Sequence, residues 1–176
     1  SGMVGSSMTM VVLWESLCDS VWAYAVKGKG VIAEPGLPIR MADDLATVGF
    51  GSSQVVLKTD TEPAIVEVRR AVGKARGVDV PTTYDDSRVG DSNSNAKVER
   101  SVREVKGLVR TLRSALAADM KAPVTIKSPV IPWIIRHAAY VITRCKVLDD
   151  GRTALQKIKG RKTVVPMVSF GEAVMF

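Results

Sequence analysis

Residues 98–116 read VERSVREVKGLVRTLRSAL, and the spacing within this stretch decides the fold. Val98, Val102, Val105, Val109, Leu112 and Leu116 step by four, three, four, three and four. On a helix of 3.6 residues per turn such steps build one continuous apolar stripe. Glu99, Arg103, Lys106, Arg110 and Arg113 advance by the same steps and form a second face, a carboxylate followed by four cations. The spacing predicts a long helix that buries one side and holds the other in water.

Working outward, Pro123 and Pro129 separate this helix from a second, over residues 131–147, apolar on most sides and therefore expected to be well buried. Upstream, residues 85–95 are dense in Asp, Ser, Asn and Gly and read as a mobile loop. Before it, residues 54–58 form a compact apolar run that leads into Asp60-Thr61-Glu62-Pro63, a strand ending on an acidic turn that opens a helix through about Arg76. Residues 78–84 read as a further short strand. Pro38, Ile39, Ala42, Leu45 and Ala46 predict a short amphipathic helix closed by Gly49. Residues 8–15 and 20–26, rich in Val, Trp, Tyr and Leu, predict a hairpin around the Ser16–Asp19 turn. Lys27-Gly28-Lys29-Gly30 lacks the ending of a phosphate loop and reads as a turn. Residues 151–162 are basic and loop-like, and residues 164–176 offer two short strand-like pieces around Ser169-Phe170-Gly171. There is no internal repeat. Strands alternating with helices and then two long helices predict an α/β domain of three layers with a mixed central sheet.

Length and composition set the frame. At 176 residues, with 46% hydrophobic and 24% charged side chains, the chain matches one folded domain with a short extension. No apolar run approaches the roughly 20 residues that cross a bilayer, so no membrane association is expected. No basic region precedes the apolar stretch near the N-terminus, so no secretory signal is read and an intracellular setting is expected. Cys18 and Cys145 stand far apart without a CxxC pattern and read as small buried residues. The net charge of +7 is uneven: residues 1–94 hold nine basic and twelve acidic side chains, residues 95–176 sixteen and six. A concentration of cations in one half points to a polyanionic partner, since clustered Lys and Arg displace counterions from phosphates. The same cations also fit a merely solvated basic surface.

Two acidic residues are candidates for chemistry, and each has a plainer reading. Asp60 closes a strand at the end where open α/β sheets gather ligands, yet an Asp before a helix start also serves as a cap. Glu99 heads a basic face, as a metal site beside a phosphate backbone requires, yet a Glu99–Arg103 pair four residues apart is a common solvated ion pair.

The two carry more weight together. The chain resembles the catalytic core of retroviral and long-terminal-repeat retrotransposon integrases, in which an Asp after a central strand is followed, beyond a flexible loop, by a Glu at the head of a long helix. Asn93-Ser94-Asn95-Ala96-Lys97-Val98-Glu99-Arg100 resembles the Asn-Gly-Lys-x-Glu-Arg signature, with Asn95-Ala96 in place of Asn-Gly. Val21-Trp22-Ala23-Tyr24 through Lys29-Gly30 is similar to the second-strand region. Arg136-His137-Ala138-Ala139-Tyr140, Gly151-Arg152-Thr153 and Phe170-Gly171-Glu172 resemble downstream landmarks of retrotransposon members. The likeness runs in order over nearly the whole chain.

The resemblance implies an RNase H-like fold, with residues 1–150 as the core-like domain and 151–176 as a basic linker and the start of a following β segment. It implies Asp60 and Glu99 as the second and third members of an Asp-Asp-Glu triad holding Mg2+ or Mn2+. Asn95, Lys97, Arg100, Arg103, Lys106, Arg110 and Arg113 become the nucleic-acid contacts. The first member of the triad is lacking: the chain has no acidic residue before Glu15, and Asp19 matches a turn instead. The first strand is therefore expected to be missing, and both ends look cut from something longer. Thr-Glu-Pro after Asp60 also replaces the Asn-Gly of many integrases.

The implied reaction is cleavage and transesterification of phosphodiesters, in which paired divalent cations activate the attacking oxygen and stabilise the leaving one. Carboxylates suit such hard cations, whereas the single His137 lies in an apolar helix and reads as packed or capping. The implied partners are DNA, a second copy of the chain and other Pol polyprotein segments, and the implied setting is nuclear. A non-catalytic nucleic-acid-binding module, a protein-interaction domain meeting an acidic partner, and a ribonuclease of related fold remain alternatives.

Overall fold

The computed structural model describes residues 8–28, 30–86, 92–162 and 168–172, and the side chains of all of these but 86 and 92–95. Two compact units emerge: residues 26–99 form one, and residues 1–25 with 100–176 form the other.

In the second of these, β1 (Thr9–Glu15) and β2 (Ser20–Val26) pair as a hairpin. Their four-residue connection is too short for anything but antiparallel pairing, and Asp19 turns it with φ 62°. The long helix α3 (Ser92–Asp119) crosses from one unit into the other near Glu99, and α4 (Ile131–Cys145) comes next. Val105 and Leu116 of α3 pack with Val21 and Ala23 of β2 and with Ile131, Ile134, Ile135, Ala138 and Ala139 of α4. Leu108, Val109 and Leu112, partly buried, line the same core from α3, so the stripe from Val105 to Leu116 turns inward as its spacing predicts, while Val98 and Val102 are half-buried outside that core. Thr143 fastens α4 to β2 with one hydroxyl, which accepts from the Val21 N–H at 2.9 Å and donates to the Val21 carbonyl at 2.9 Å.

The unit formed by residues 26–99 contains α1 (Leu37–Leu45), β3 (Val55–Thr59), α2 (Pro63–Arg76) and β4 (Thr82–Asp86). The π-helical stretch 46–50 extends α1 until Gly49, at φ 97°, breaks it. β3 and β4 pair in parallel, from Val55 opposite Thr82 to Thr59 opposite Asp86. Parallel neighbours need a crossover, and α2 supplies it. Arg76, nearly buried, ties the arrangement together: its guanidinium donates to the carbonyls of Phe50 (2.7 Å), Ser53 (2.6 Å) and Pro81 (3.4 Å) and to the Thr82 hydroxyl (2.5 Å). Burial pushes the Arg76 pKa below its ordinary value.

The α/β class is observed, with antiparallel and parallel pairing carried, among the described residues, by two two-stranded sheets. Several local expectations are corrected. The fourth strand spans Thr82–Asp86 instead of 78–84, because Gly77 and Pro81 keep the preceding residues in a turn. Residues 92–95, expected in a loop, already belong to α3, while 87–91 lie outside the described residues. Residues 151–162 contain the helix α5 (Ala154–Lys159), nucleated by a capping box in which Thr153 Oγ1 accepts from the Gln156 N–H and Gln156 Oε1 from the Thr153 N–H. Residues 168–172 form a turn, and the strand-like pieces at 163–167 and 173–176 lie outside the described residues. Cys145 is exposed at the last turn of α4 and Cys18 is half-buried, so neither is the buried residue expected.

Arg76 joins four acceptors, and an acceptor left unpaired in a buried site costs about 1–3 kcal/mol. Arg76→Ala is expected to lower the unfolding free energy by at least about 2 kcal/mol in urea titrations. A loss within experimental error of zero would contradict the role given to this side chain.

Candidate functional site

Asp60 comes directly after β3, at the carboxyl end of a parallel strand, and its side chain is exposed. It is not the cap of α2: that helix starts at Pro63 with Glu62 as its N-cap residue. Instead Asp60 Oδ1 accepts from the Glu62 N–H at 3.2 Å, which shapes the acidic turn between strand and helix. The register of β3 and β4 brings Asp85 and Asp86 to the same end, with Asp85 opposite Lys58 and Asp86 opposite Thr59. Asp85 is partly neutralised by Lys58 at 3.7 Å. Its carbonyl accepts from Arg69 at 2.6 Å, and the Arg69 guanidinium also lies over the Tyr84 ring. These two aspartates were not singled out in the sequence, where they read as the start of a polar loop.

Glu99 is exposed in the second turn of α3, within the same unit as Asp60. No hydrogen bond or ion pair joins Asp60 to Glu99 among the described residues, and no group of three His, Cys, Asp or Glu side chains suited to a metal occurs among them. The carboxylates are thus of the right chemical type for a hard cation but do not form a closed ligand set.

Along α3, Arg103, Lys106 and Arg110 are exposed and Arg113 is half-buried. At about 100° per residue these four stay within a narrow arc centred on the position of Glu99, Arg100 lies about a quarter turn away, and Lys97 lies nearly opposite. Both are exposed. Asn95 lies on α3, its side chain outside the described set. The basic face is therefore presented to solvent, and its neighbour Glu104 is engaged by Lys146 at 2.7 Å.

His137 behaves as a packed residue. It stacks on Tyr140 at 5.7 Å and tilts against Phe170 at 4.9 Å, and burial lowers its pKa. Cys18 is held protonated more firmly than an ordinary thiol, by burial first and by Glu15 second.

No protein-family model and no curated protein matches the sequence. The fold is that of retroviral integrase catalytic cores. A chain of the simian T-cell lymphotropic virus intasome in complex with PP2A regulatory subunit B56 gamma matches 96% of this chain with TM-score 0.59 and 17% identity. This chain spans about half of that one, 54% of its length. The HTLV-2 integrase catalytic core domain in complex with magnesium matches with TM-score 0.53 and 13% identity in both a trimeric and a dimeric form. Those matches cover 85% and 86% of this chain and 91% of each core domain. At such identities the likeness is one of fold.

The packing of His137 gives a pH prediction. Its folded pKa lies below the unfolded value of about 6.5, so the unfolded chain takes up the proton first. Stability should be full above about pH 6.5 and decline as pH falls below it. Thermal melts from pH 8 to 5 are expected to show this decline, and His137→Phe should flatten it; an unchanged slope in the variant would assign the effect elsewhere.

Proposed function

We propose that this chain derives from the integrase of a retroviral or long-terminal-repeat retrotransposon Pol polyprotein. The parent protein cleaves DNA ends and joins their hydroxyls to target DNA, and this chain retains nucleic-acid binding with impaired catalysis. The observation that carries the reading is the position of Asp60, at the carboxyl end of a parallel strand in an integrase-like fold, with Glu99 in the same unit. The core-like region is residues 1–150, and 151–176 link it to the next segment of the parent.

Asp60 and Glu99 are the residues we assign to Mg2+ or Mn2+, which when bound would supply Lewis-acid stabilisation of the transferring phosphoryl group. The HTLV-2 core was solved with magnesium, and carboxylate oxygens are what that ion takes. Two carboxylates without a third are a poor cage, however, and no group of three His, Cys, Asp or Glu side chains suited to a metal occurs among the described residues. We therefore assign these residues a residual affinity for the ion and derive no reaction step from it.

The nucleic-acid role falls to Asn95, Lys97, Arg100, Arg103, Lys106, Arg110 and Arg113. The exposure of Arg103, Lys106 and Arg110 on one helix face favours a second reading, a non-catalytic DNA-binding module derived from such an integrase. A second copy of this chain is the further partner we propose, in line with the dimeric form of the HTLV-2 core. The proposed setting is intracellular and nuclear. No helix among the described residues is long and apolar enough to cross a membrane.

An end-joining assay with Mg2+ or Mn2+ tests the catalytic half of the proposal: little or no turnover is expected, and robust turnover abolished by Glu99→Gln would refute impairment. Duplex binding tests the other half. Affinity should fall steeply with salt, and Arg103→Gln/Lys106→Gln/Arg110→Gln should reduce the slope of log K against log[salt] by about 2.7, at about 0.9 per phosphate contact. Residual metal-dependent turnover that Glu99→Gln removes supports the impaired enzyme, whereas salt-dependent binding with no metal-dependent turnover at all favours the non-catalytic module.

A further inference from the structure

The outer face of α4 takes no part in the sites above. The helix turns Ile131, Ile134, Ile135, Ala138 and Ala139 into the core, while its other side carries aromatic rings and cations. Trp133 is 71% exposed and Tyr140 39%. At about 100° per residue, Trp133, His137, Tyr140 and Arg144 lie within about 60° of one another around the helix. At about 1.5 Å rise per residue, Trp133 and Tyr140 stand about 10 Å apart along its axis. Arg136 is exposed beside them, with its guanidinium 5.2 Å from the centroid of the Tyr24 ring.

These side chains are held in place. The Arg144 guanidinium lies 3.6 Å from the centroid of the Tyr140 ring, and His137 stands nearly parallel to that ring, with 14° between planes and 5.7 Å between centroids. A cation that close to a ring face is attracted by its quadrupole, so the three form a short planar stack with a positive end. The core contacts of α4 and the Thr143 bonds to β2 fix the helix beneath them. A stack on such a support loses little freedom when a ligand meets it. Its surroundings are cationic: between Asp119 and Asp149 the chain has no acidic residue and five basic ones, Lys121, Lys127, Arg136, Arg144 and Lys146. Of these Lys146 is engaged by Glu104.

Charge decides what suits this face. A second copy meeting it across a two-fold axis would set Arg136 and Arg144 against their own counterparts, an arrangement that like charges oppose. A duplex satisfies the cations, but its bases are stacked on one another and offer the rings nothing. A single strand supplies both a flat base for a ring and a phosphate for a neighbouring cation. We propose that the Trp133, Tyr140 and Arg144 face of α4 binds unpaired, single-stranded nucleic acid, with one base on the Trp133 indole and another extending the Arg144–Tyr140 stack. The inference rests on the nucleic-acid reading above and adds a preference for strand form, since the phosphates met by the α3 cations are common to duplex and single strand.

The test follows the fluorescence anisotropy of a labelled oligothymidylate and of a labelled duplex of equal length as the full chain is added, each across a salt series. Circular dichroism confirms the fold and sedimentation follows the oligomeric state. Trp133→Ala should weaken oligothymidylate binding at least about 5-fold, the low end for one stacked base, and Trp133→Ala/Tyr140→Ala at least about 25-fold. Duplex affinity should change by less than about 2-fold, and the salt slope on either probe should match the parent, because no charge is removed. Trp133→Phe/Tyr140→Phe keeps both rings and should bind oligothymidylate within about 3-fold of the parent. Duplex binding without oligothymidylate binding, or alanine variants that bind oligothymidylate as the parent does, overturns this inference and leaves the α3 reading standing. Binding of neither probe by the parent overturns both. Equal weakening on the two probes overturns the preference for unpaired bases, and a shift to smaller species in the alanine variants with oligothymidylate affinity kept overturns it in favour of a contact between copies.

Discussion

The demand placed on α3 governs the structure: one helix must bury a stripe of branched aliphatics while keeping a row of cations in water. Both requirements are met because the stripe and the cations advance by the same three- and four-residue steps and never meet. Val105 and Leu116 enter the core beside Ile134 and Ala138, and removing large apolar side chains from such a core costs about 2–5 kcal/mol each. A rotation of α3 that buried Arg103 or Lys106 would forfeit that packing and add the desolvation of an unpaired charge. The energetics that fix the helix therefore also fix which residues it offers to a partner.

A different constraint positions Asp60. The aspartate itself makes only a local bond, to the Glu62 N–H, so its place depends on where β3 ends. That end is set by parallel pairing with β4, and the start of the pair is clamped by Arg76, which joins residues 50 and 53 to residues 81 and 82. At the other end Arg69 holds the carbonyl of Asp85. The exposed carboxylate is thus carried by buried guanidinium groups on α2, one at each end of the strand pair.

Elements that announce themselves through side-chain periodicity were legible in the sequence. The strand at 20–26, the helix from Pro63 to Arg76 and the stripe of α3 all appear where the residues place them, because burial of a regular pattern outweighs local alternatives. The integrase-like fold was legible for a related reason, since landmarks too weak singly to specify anything recur in the right order. What was not legible depended on few or polar residues. α5 is only six residues long with half of them polar, so composition hid it, although Thr153-x-x-Gln156 was a readable start signal. β4 was displaced toward Asp86 because its apolar content is low and its register is imposed by β3. The exposure of Cys145 comes from its place at the end of α4, which burial tendencies of cysteine as a class do not reveal. Asp85 and Asp86 reach the end of β3 through strand register alone, and no spacing in the sequence signals that.

Charge and compactness divide along the same line. Residues 26–99 carry ten basic and eleven acidic side chains, whereas residues 1–25 and 100–176 carry fifteen and seven. The carboxylates singled out for metal thus belong to a nearly neutral unit, and Arg100, Arg103, Lys106 and Arg110 of α3 to one with a net charge of +8. Concentrating cations on one unit raises their mutual repulsion and lowers its stability, while the same net charge favours solubility. On the nucleic-acid reading proposed above, a phosphate backbone would relieve that repulsion as it binds.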